Sequence, residues 1–462
     1  MSTQDGGAQY SGRNAVVLGL GKTGLSLVRH LAKHGAIVRV ADTRALPPHA
    51  AELAREFPSV SIETGPLSAS TFDGADLIAI SPGLSKEHPS IREAVDAGVE
   101  LVGDVELFAR ALPPGQKVLA ITGTNGKTTV TSLTGALARA AGLRTVVAGN
   151  IGDAVLDVLA NYEGWPDVFV LELSSYQLET TSSLKPVAAT VLNVTANHMD
   201  RYAGLADYAA AKARIFAHSS VQILNRDDAI VRLMRLPGRT VQTFGESVPL
   251  SEEEWGLVER DGAMWLARGG ELLLPAASLS LVGRHNARNA LAALALASSI
   301  VKLQRPIHDA LARFRGLPHR MEPVAEARGV LFIDDSKGTT VAATQAALEG
   351  LRRPVILIAG GDGKGQSFGA LKSVVDRNCR TVLLIGRDAD LIARALAGTS
   401  ARVESMRTLD AAVDRAVEIA ADGDVVLLSP ACASLDQFRD YIERGEQFAH
   451  RVRRTLTAGA DA

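Results

Sequence analysis

Twice before residue 130 an apolar run leads straight into a glycine-rich loop and then into a helical pattern. Ala15–Leu18 is followed by Gly19, Gly21 and Gly24 in G-x-G-x-x-G spacing, then by Leu25, Leu27, Val28 and Leu31 at helical intervals. Lys117–Ile121 is followed by Thr122-Gly123-Thr124-Asn125-Gly126-Lys127-Thr128-Thr129 and a second helical pattern. Units of this kind belong to α/β sheets: glycines let backbone approach a phosphate, and a helix N-terminus supplies oriented N–H donors. The alternation continues, with strands expected at Ile37–Ala41, Leu77–Ile80, Val168–Leu171, Ala188–Leu192, Val330–Ile333, Val355–Ala359, Thr381–Ile385 and Val425–Leu428. Largely parallel sheets follow from that order.

A chain of 462 residues has room for about three domains. Pro and Gly at Leu112-Pro113-Pro114-Gly115 and Gly316-Leu317-Pro318 mark breaks, dividing it into residues 1–112, 113–316 and 317–462. Between Gln222 and Ser280 the pattern turns choppy around Trp255 and Trp265, which suggests a small β element. With 49 Lys+Arg against 51 Asp+Glu, no bulk charge advertises nucleic acid or an anionic membrane, so phosphate binding has to be built by loops. Only Cys379 and Cys432 occur, which excludes a disulfide framework or a cysteine zinc site and fits a reducing compartment. The first residues lack a secretory pattern, and Ala290–Val301 is too short to span a bilayer. A cytoplasmic protein without an integral membrane segment is expected.

Read residue by residue, the first loop suits a pyrophosphate, with Asp42 at the end of the next strand available to a ribose hydroxyl. NAD, another nucleotide, or a tight turn without ligand all satisfy that pattern. The second loop carries the working end of a phosphate loop: backbone donors, Lys127 for the β/γ-phosphates and the Thr128 hydroxyl for Mg²⁺. Ile121 stands where the longer motif has its first glycine, so this is a variant. ATP is the expected ligand, a ligand-free turn the alternative. Glu172 ends the Val168–Leu171 run, where an acid can hold Mg²⁺. Alone, His198 reads as a structural loop histidine, Lys212 as a solvated helical lysine, Asn286 as a helix cap, and Arg320 with Asp335 as a surface ion pair.

Taken together, several stretches resemble the Mur ligases: Thr122–Thr129, Leu171–Glu179, Asn193-Val194-Thr195-Ala196-Asn197-His198-Met199-Asp200-Arg201-Tyr202, Gly283–Asn286, His319-Arg320 and Asp334-Asp335-Ser336-Lys337. The similarity runs from Gly19 to Ser429-Pro430-Ala431-Cys432-Ala433-Ser434, and its pattern is that of the D-glutamate-adding branch. The resemblance implies an α/β protein of three domains: Rossmann-like and UDP-binding, a central P-loop ATPase-like α/β domain, and a C-terminal Rossmann-like α/β domain. It implies ATP-dependent addition of D-glutamate to UDP-N-acetylmuramoyl-L-alanine through an acyl phosphate, with two Mg²⁺ ions. Small-molecule substrates, no nucleic acid, and a monomer complete the expectation. Another amino-acid-adding ligase, or a folylpolyglutamate synthetase, is the alternative; the first loop with Asp42-Thr43-Arg44 speaks against the latter.

The resemblance also distributes roles. Lys22, Thr23, Asp42, Thr43, Arg44, Gly83 and Asn150 fall on positions that meet the UDP-substrate. Gly123, Thr124, Asn125, Gly126, Lys127, Thr128, Thr129, Asn286, Asn289, Arg320 and Asp335 fall around ATP. Lys127, Glu172, His198 and Lys212 are the catalytic set, with Thr128, Glu172, His198 and carbamylated Lys212 on metal. Lys337, Thr339, Lys364, Ser434 and Tyr441 fall on the D-glutamate pocket. Three residues depart from the common pattern: Lys22 where relatives are often apolar, Asn197 where Asp is frequent, and Tyr441 where Phe is frequent.

Overall fold

Apolar runs without polar alternation, such as Leu77–Ile80 and Val425–Leu428, become strands buried on every residue. Parallel sheets covered on both faces require that composition. The computed structural model describes residues 9–458 except 163, 198, 200, 282, 317 and 364.

Five strands, β1 (Asn14–Leu18), β2 (Ile37–Asp42), β3 (Ile62–Thr64), β4 (Leu77–Ile80) and β5 (Glu100–Val102), form a wholly parallel sheet in the order β3-β2-β1-β4-β5. Its switch point lies between β1 and β4, so the loops after both strands meet at one crevice. The second sheet is built from β6 (Lys117–Thr122), β7 (Thr145–Gly149), β8 (Val168–Glu172), β9 (Ala188–Val191), β10 (Val221–Asn225), β11 (Thr240–Phe244), β12 (Glu254–Arg260), β13 (Ala263–Arg268) and β14 (Glu271–Pro275). Their order is β14-β13-β12-β11-β10-β9-β6-β8-β7. The choppy segment thus splits: β10 and β11 extend the parallel sheet, while β12–β14 form an antiparallel ribbon on its edge.

These two sheets lie in one compact unit, which runs to Ser278 and resumes at Arg288–Ala312. A buried apolar cluster joins them, with Phe108 edge-on to Phe169 at 5.1 Å between ring centroids. Two buried acids reinforce the join. Asp104 Oδ2 accepts from Gln177 Nε2 at 3.1 Å, and Glu106 Oε2 accepts from the backbone of Ser182 and Ser183 at 2.7 and 2.9 Å. Fixed donors replace water around Glu106, whereas burial raises the Asp104 carboxyl.

The other unit, Leu279–Ala287 with Arg313 onward, holds the third sheet. Its strands are β15 (Glu322–Ala327), β16 (Val330–Asp334), β17 (Val355–Gly360), β18 (Cys379–Ile385), β19 (Arg402–Arg407) and β20 (Val425–Leu428), in the order β15-β16-β20-β17-β18-β19. All pairs are parallel except β15 with β16. No helix among the described residues is long and apolar enough to cross a membrane.

Candidate active site

The first glycine loop is held by its own atoms before any ligand enters. A Cβ at Gly24 would lie 1.8 Å from the Gly19 carbonyl oxygen, so only glycine lets the helix Lys22–Lys33 close onto β1. Ser81 Oγ, on the loop after β4, donates to that same carbonyl at 2.8 Å. The helix has no side-chain cap at Gly21 and no acid in its first turn, which leaves its N–H groups open to an anion. Asp42 is buried, and its carboxylate accepts from Leu20 N at 2.6 Å, Arg44 N at 2.9 Å and Arg44 Nε at 2.8 Å. Foremost the Arg44 guanidinium, then the Leu20 N–H, hold this acid down at about 2. Asp42 therefore braces the loop and aims Arg44, a duty in addition to the ribose contact expected of it.

All the residues assigned to the UDP-substrate line one cleft of about 570 Å³: Lys22, Thr23, Asp42, Thr43, Arg44, Gly83 and Asn150. Lys22 crosses it, donating to Gly152 O at 3.0 Å and Asp153 Oδ1 at 2.9 Å. A larger hollow, about 1130 Å³, flanks the same helix and touches none of the phosphate-loop residues Gly123–Thr129.

The second loop leaves β6 with Gly123 at φ +153° and turns into the helix Lys127–Ala140 through Gly126 at φ +82°. A side chain at Gly126 would strike Asn289 Oδ1 at 2.7 Å, so Asn289 sits directly against the loop. Lys127 folds back, its Nζ donating to Gly123 O at 2.8 Å and Thr124 O at 2.9 Å. Asn193 brackets the loop: its Oδ1 accepts from Asn125 N at 2.8 Å and its Nδ2 donates to Asn125 O at 3.0 Å. Thr195 N donates to Thr124 Oγ1 at 3.0 Å. Sequence reasoning gave Asn193 no role, although it opens the motif that contains His198.

Glu172 ends β8 opposite Ile121 of β6, which sets the acid beside the start of the phosphate loop. It is buried; Oε1 accepts from Asn150 Nδ2 at 2.9 Å, while Oε2 has no hydrogen-bond partner among the described residues. Lys212, on the helix Leu205–Ala213, is only 1% exposed. Its Nζ donates to Gly123 O at 2.9 Å and lies 4.4 Å from the Tyr208 ring centroid. Burial, then the neighbouring Lys127 charge, push this amine down to about 6, with Glu172 opposing. The solvated-lysine reading of Lys212 is corrected: the helix turns it inward. An unpaired carboxylate oxygen, the Thr128 hydroxyl at a helix N-terminus and a near-neutral buried amine suit a magnesium site once the amine gains an anionic cap. His198 lies outside the described residues.

In the other unit, Lys337 Nζ donates to the Tyr441 hydroxyl at 3.0 Å and lies 4.3 Å from its ring centroid. The hydroxyl that distinguishes Tyr441 from phenylalanine thus has a definite partner. Thr339 N donates to Lys337 O at 2.8 Å, and Ser434 is buried at the foot of the loop after β20. Arg320 is half-buried, and its charge acts on Asp335, which is buried. Asp335 Oδ2 accepts from Ser429 Oγ at 2.7 Å, and desolvation raises its carboxyl to about 7. The surface-ion-pair reading is therefore corrected, since Asp335 lies inside. Asn286 is the third residue of the helix Arg284–Ser298, inside the first turn and not its cap. Lys364 lies outside the described residues. Arg444, unnoticed in a charge-rich helix, is fully buried and donates to Ser336 Oγ, Ser336 O and Cys432 O at 3.0, 2.8 and 3.1 Å.

Three α/β sheets, the middle one with a phosphate loop beside a buried acid and a buried lysine, define a class of multidomain nucleotide-dependent enzymes. Sequence comparison narrows the class. Residues 13–103 match the Mur ligase MurD-like N-terminal domain, 121–297 the Mur ligase middle domain, and 319–432 the Mur ligase glutamate ligase domain. The chain belongs to the Mur ligase family, ATP-dependent ligases that form amide bonds, and has the family's three-domain α/β architecture. It is 51% identical over 455 residues to the UDP-N-acetylmuramoylalanine--D-glutamate ligase of Nitrosomonas europaea, covering 96% of this chain and 97% of that one. The protein of that name from Methylobacillus flagellatus is 53% identical over 444 residues, with the same coverage of each chain. Among solved structures, the UDP-N-acetylmuramate-alanine ligase of Thermotoga maritima has the same fold (TM-score 0.59, 20% identity, 96% of this chain and 99% of that one).

Proposed function

We propose that this chain joins D-glutamate to UDP-N-acetylmuramoyl-L-alanine at the expense of ATP, as a step of peptidoglycan precursor synthesis. The observation that carries this reading is identity of about half the residues, over nearly the whole chain, to ligases named for that reaction. The geometry supports it: one cleft takes the UDP-substrate positions, and the phosphate loop, Glu172 and Lys212 converge beside it. In this reading the functional divisions are residues 1–112 for the UDP-substrate, 113–316 for ATP and 317–462 for D-glutamate. The enzyme works in the cytoplasm as a monomer.

A carboxylate resists attack by an amine because oxide would have to leave. Its oxygen first attacks the γ-phosphorus of ATP, the bond to the β-phosphate oxygen breaks, and ADP departs. The D-glutamate amine then attacks the acyl carbon, phosphate leaves with the C–O electrons, and the nitrogen loses its proton to a base. Transfer between anions needs positive charge fixed in advance. Lys127 supplies it by exchanging the Gly123 and Thr124 carbonyls for phosphate oxygens. Glu172, Thr128, His198 and Lys212 would hold the two Mg²⁺ ions of this reading, which would supply further positive charge to the phosphate oxygens. Lys212 serves there as a carbamate: the neutral amine adds to the carbon of CO₂ and sheds a proton, which its depressed basicity permits. In this reading Asn286, Asn289, Arg320 and Asp335 are assigned to ATP, and Lys337, Thr339, Lys364, Ser434 and Tyr441 to D-glutamate.

Phosphate release with ATP, Mg²⁺ and UDP-N-acetylmuramoyl-L-alanine tests the proposal. Release that requires D-glutamate and is not supported by L-glutamate is the expected result. Release with a different amino acid only would reassign the chain to another branch of the family.

A further inference from the structure

Arg201 has no part in the scheme above, yet it touches three segments. Its Nη1 donates to Pro82 O at 3.0 Å, on the loop after β4 that lines the UDP cleft. Its Nη2 meets Glu179 Oε2 at 2.8 Å, at the end of the short helix that follows Glu172. The guanidinium lies over the Tyr176 ring, 4.0 Å from the centroid. Glu179 cannot swing away cheaply, because its other oxygen accepts from Tyr202 at 2.5 Å. The Arg201 and Glu179 side chains are 12% and 9% exposed, so water competes little for the pair.

The other end of the same loop is tied elsewhere. Asn193 and Thr195 bond to Asn125 and Thr124 of the phosphate loop. Asn193 and Thr195 are thus anchored on the ATP loop and Arg201 on the UDP-side loop, and His198 lies between them in sequence. Ser81, next to Pro82, is in turn bonded to Gly19 O beneath the first glycine loop.

We propose that Arg201 is a positioning residue that couples the UDP cleft to the metal-bearing loop, so that the nucleotide end of the substrate helps set the loop on which the second metal depends. This rests on the substrate reading given above. Only a planar fork serves: lysine can keep the Glu179 bond and the aromatic contact but cannot reach Pro82 O along a second fixed direction.

The test is Arg201→Lys beside Tyr202→Phe, the latter sparing the Arg201–Pro82 bond. Calorimetry measures binding of UDP-N-acetylmuramoyl-L-alanine without ATP or metal, and titration gives the Mg²⁺ concentration for half-maximal phosphate release. Losing one charge-assisted hydrogen bond predicts that Arg201→Lys weakens substrate binding about tenfold and raises the Mg²⁺ midpoint severalfold, with the KM for ATP unchanged. Tyr202→Phe, which keeps the Arg201–Pro82 bond and only loosens Glu179, should move binding and midpoint far less than Arg201→Lys does. Native values for both in Arg201→Lys, or a lowered melting temperature as its only change, would overturn the inference and leave the substrate reading intact. Failure of the unaltered protein to bind the substrate would overturn both.

Discussion

Lys127 and Lys212 converge on one acceptor: their Nζ atoms donate to the Gly123 carbonyl from 2.8 and 2.9 Å. Two full charges so close, one of them buried, are costly in a medium of low dielectric. The strain is relieved in the free protein by Lys212 giving up its proton, and under the proposed mechanism its carbamylation would relieve it as well. Both outcomes leave Lys127 as the cation that meets phosphate.

Lys212→Met should therefore separate activity from stability. D-glutamate-dependent phosphate release should fall by about a hundredfold, as expected if Lys212 supports a metal in the proposed way. The melting temperature stays level or rises, because an apolar chain of similar length replaces a buried amine. Calorimetric melting with a steady-state assay checks both halves. A destabilised variant that retains activity would contradict them.

Gly24→Ala tests the first glycine loop. Its Cβ would meet the Gly19 carbonyl 1.8 Å away, and backbone cannot yield as a side-chain tip can. Affinity for the UDP-substrate should drop by about a hundredfold or more, with a stability loss of roughly 2 kcal/mol, typical of overpacking. The KM for ATP should not move, since the phosphate loop belongs to the second sheet.

Tyr441→Phe frees the Lys337 ammonium from its hydroxyl partner. In the proposed assignment the freed cation turns wholly to the D-glutamate carboxylate, so KM for D-glutamate should fall about threefold, within the worth of one neutral hydrogen bond. Kinetics with D-glutamate varied and the other substrates saturating would show it. A rise in KM would mean that the hydroxyl itself contacts the amino acid.

His30 is buried in the helix Lys22–Lys33, where burial first, then His34 and Lys33, push it down to about 3. The unfolded chain takes up this proton near the ordinary pH of 6.5 and the folded chain only near 3. The unfolded state thus binds more protons in that window, and stability falls as pH is lowered through it, by up to about 1.4 kcal/mol per pH unit for this group. His30→Gln should flatten the melting-temperature profile between pH 6.5 and pH 4.5. An unchanged slope would mean that other groups carry it.

The parallel strands were legible because strands covered on both faces must be apolar throughout; Leu77–Ile80 and Val425–Leu428 have the expected limits. β3 and β5 escaped notice as three-residue edge strands, too short for periodicity. The UDP positions proved neighbours because glycine spacing and sheet topology together define one crevice. Lys212, Arg201 and Arg444 were illegible for one reason. Their neighbours in sequence are ordinary helix or loop residues, and only tertiary packing turns a long cation inward. Resemblance pointed to Lys212, but burial and the shared Gly123 carbonyl are what explain its chemistry.

In the proposed reaction the substrate carboxylate is activated by phosphate before the amine arrives. UDP-N-acetylmuramoyl-L-alanine labelled with ¹⁸O in its alanyl carboxylate tests this directly, with ATP, Mg²⁺ and D-glutamate supplied and the released phosphate analysed by mass. The account predicts one ¹⁸O atom carried from each carboxylate into phosphate, with one amide formed per label transferred. Phosphate bearing only oxygen from ATP and solvent would contradict it.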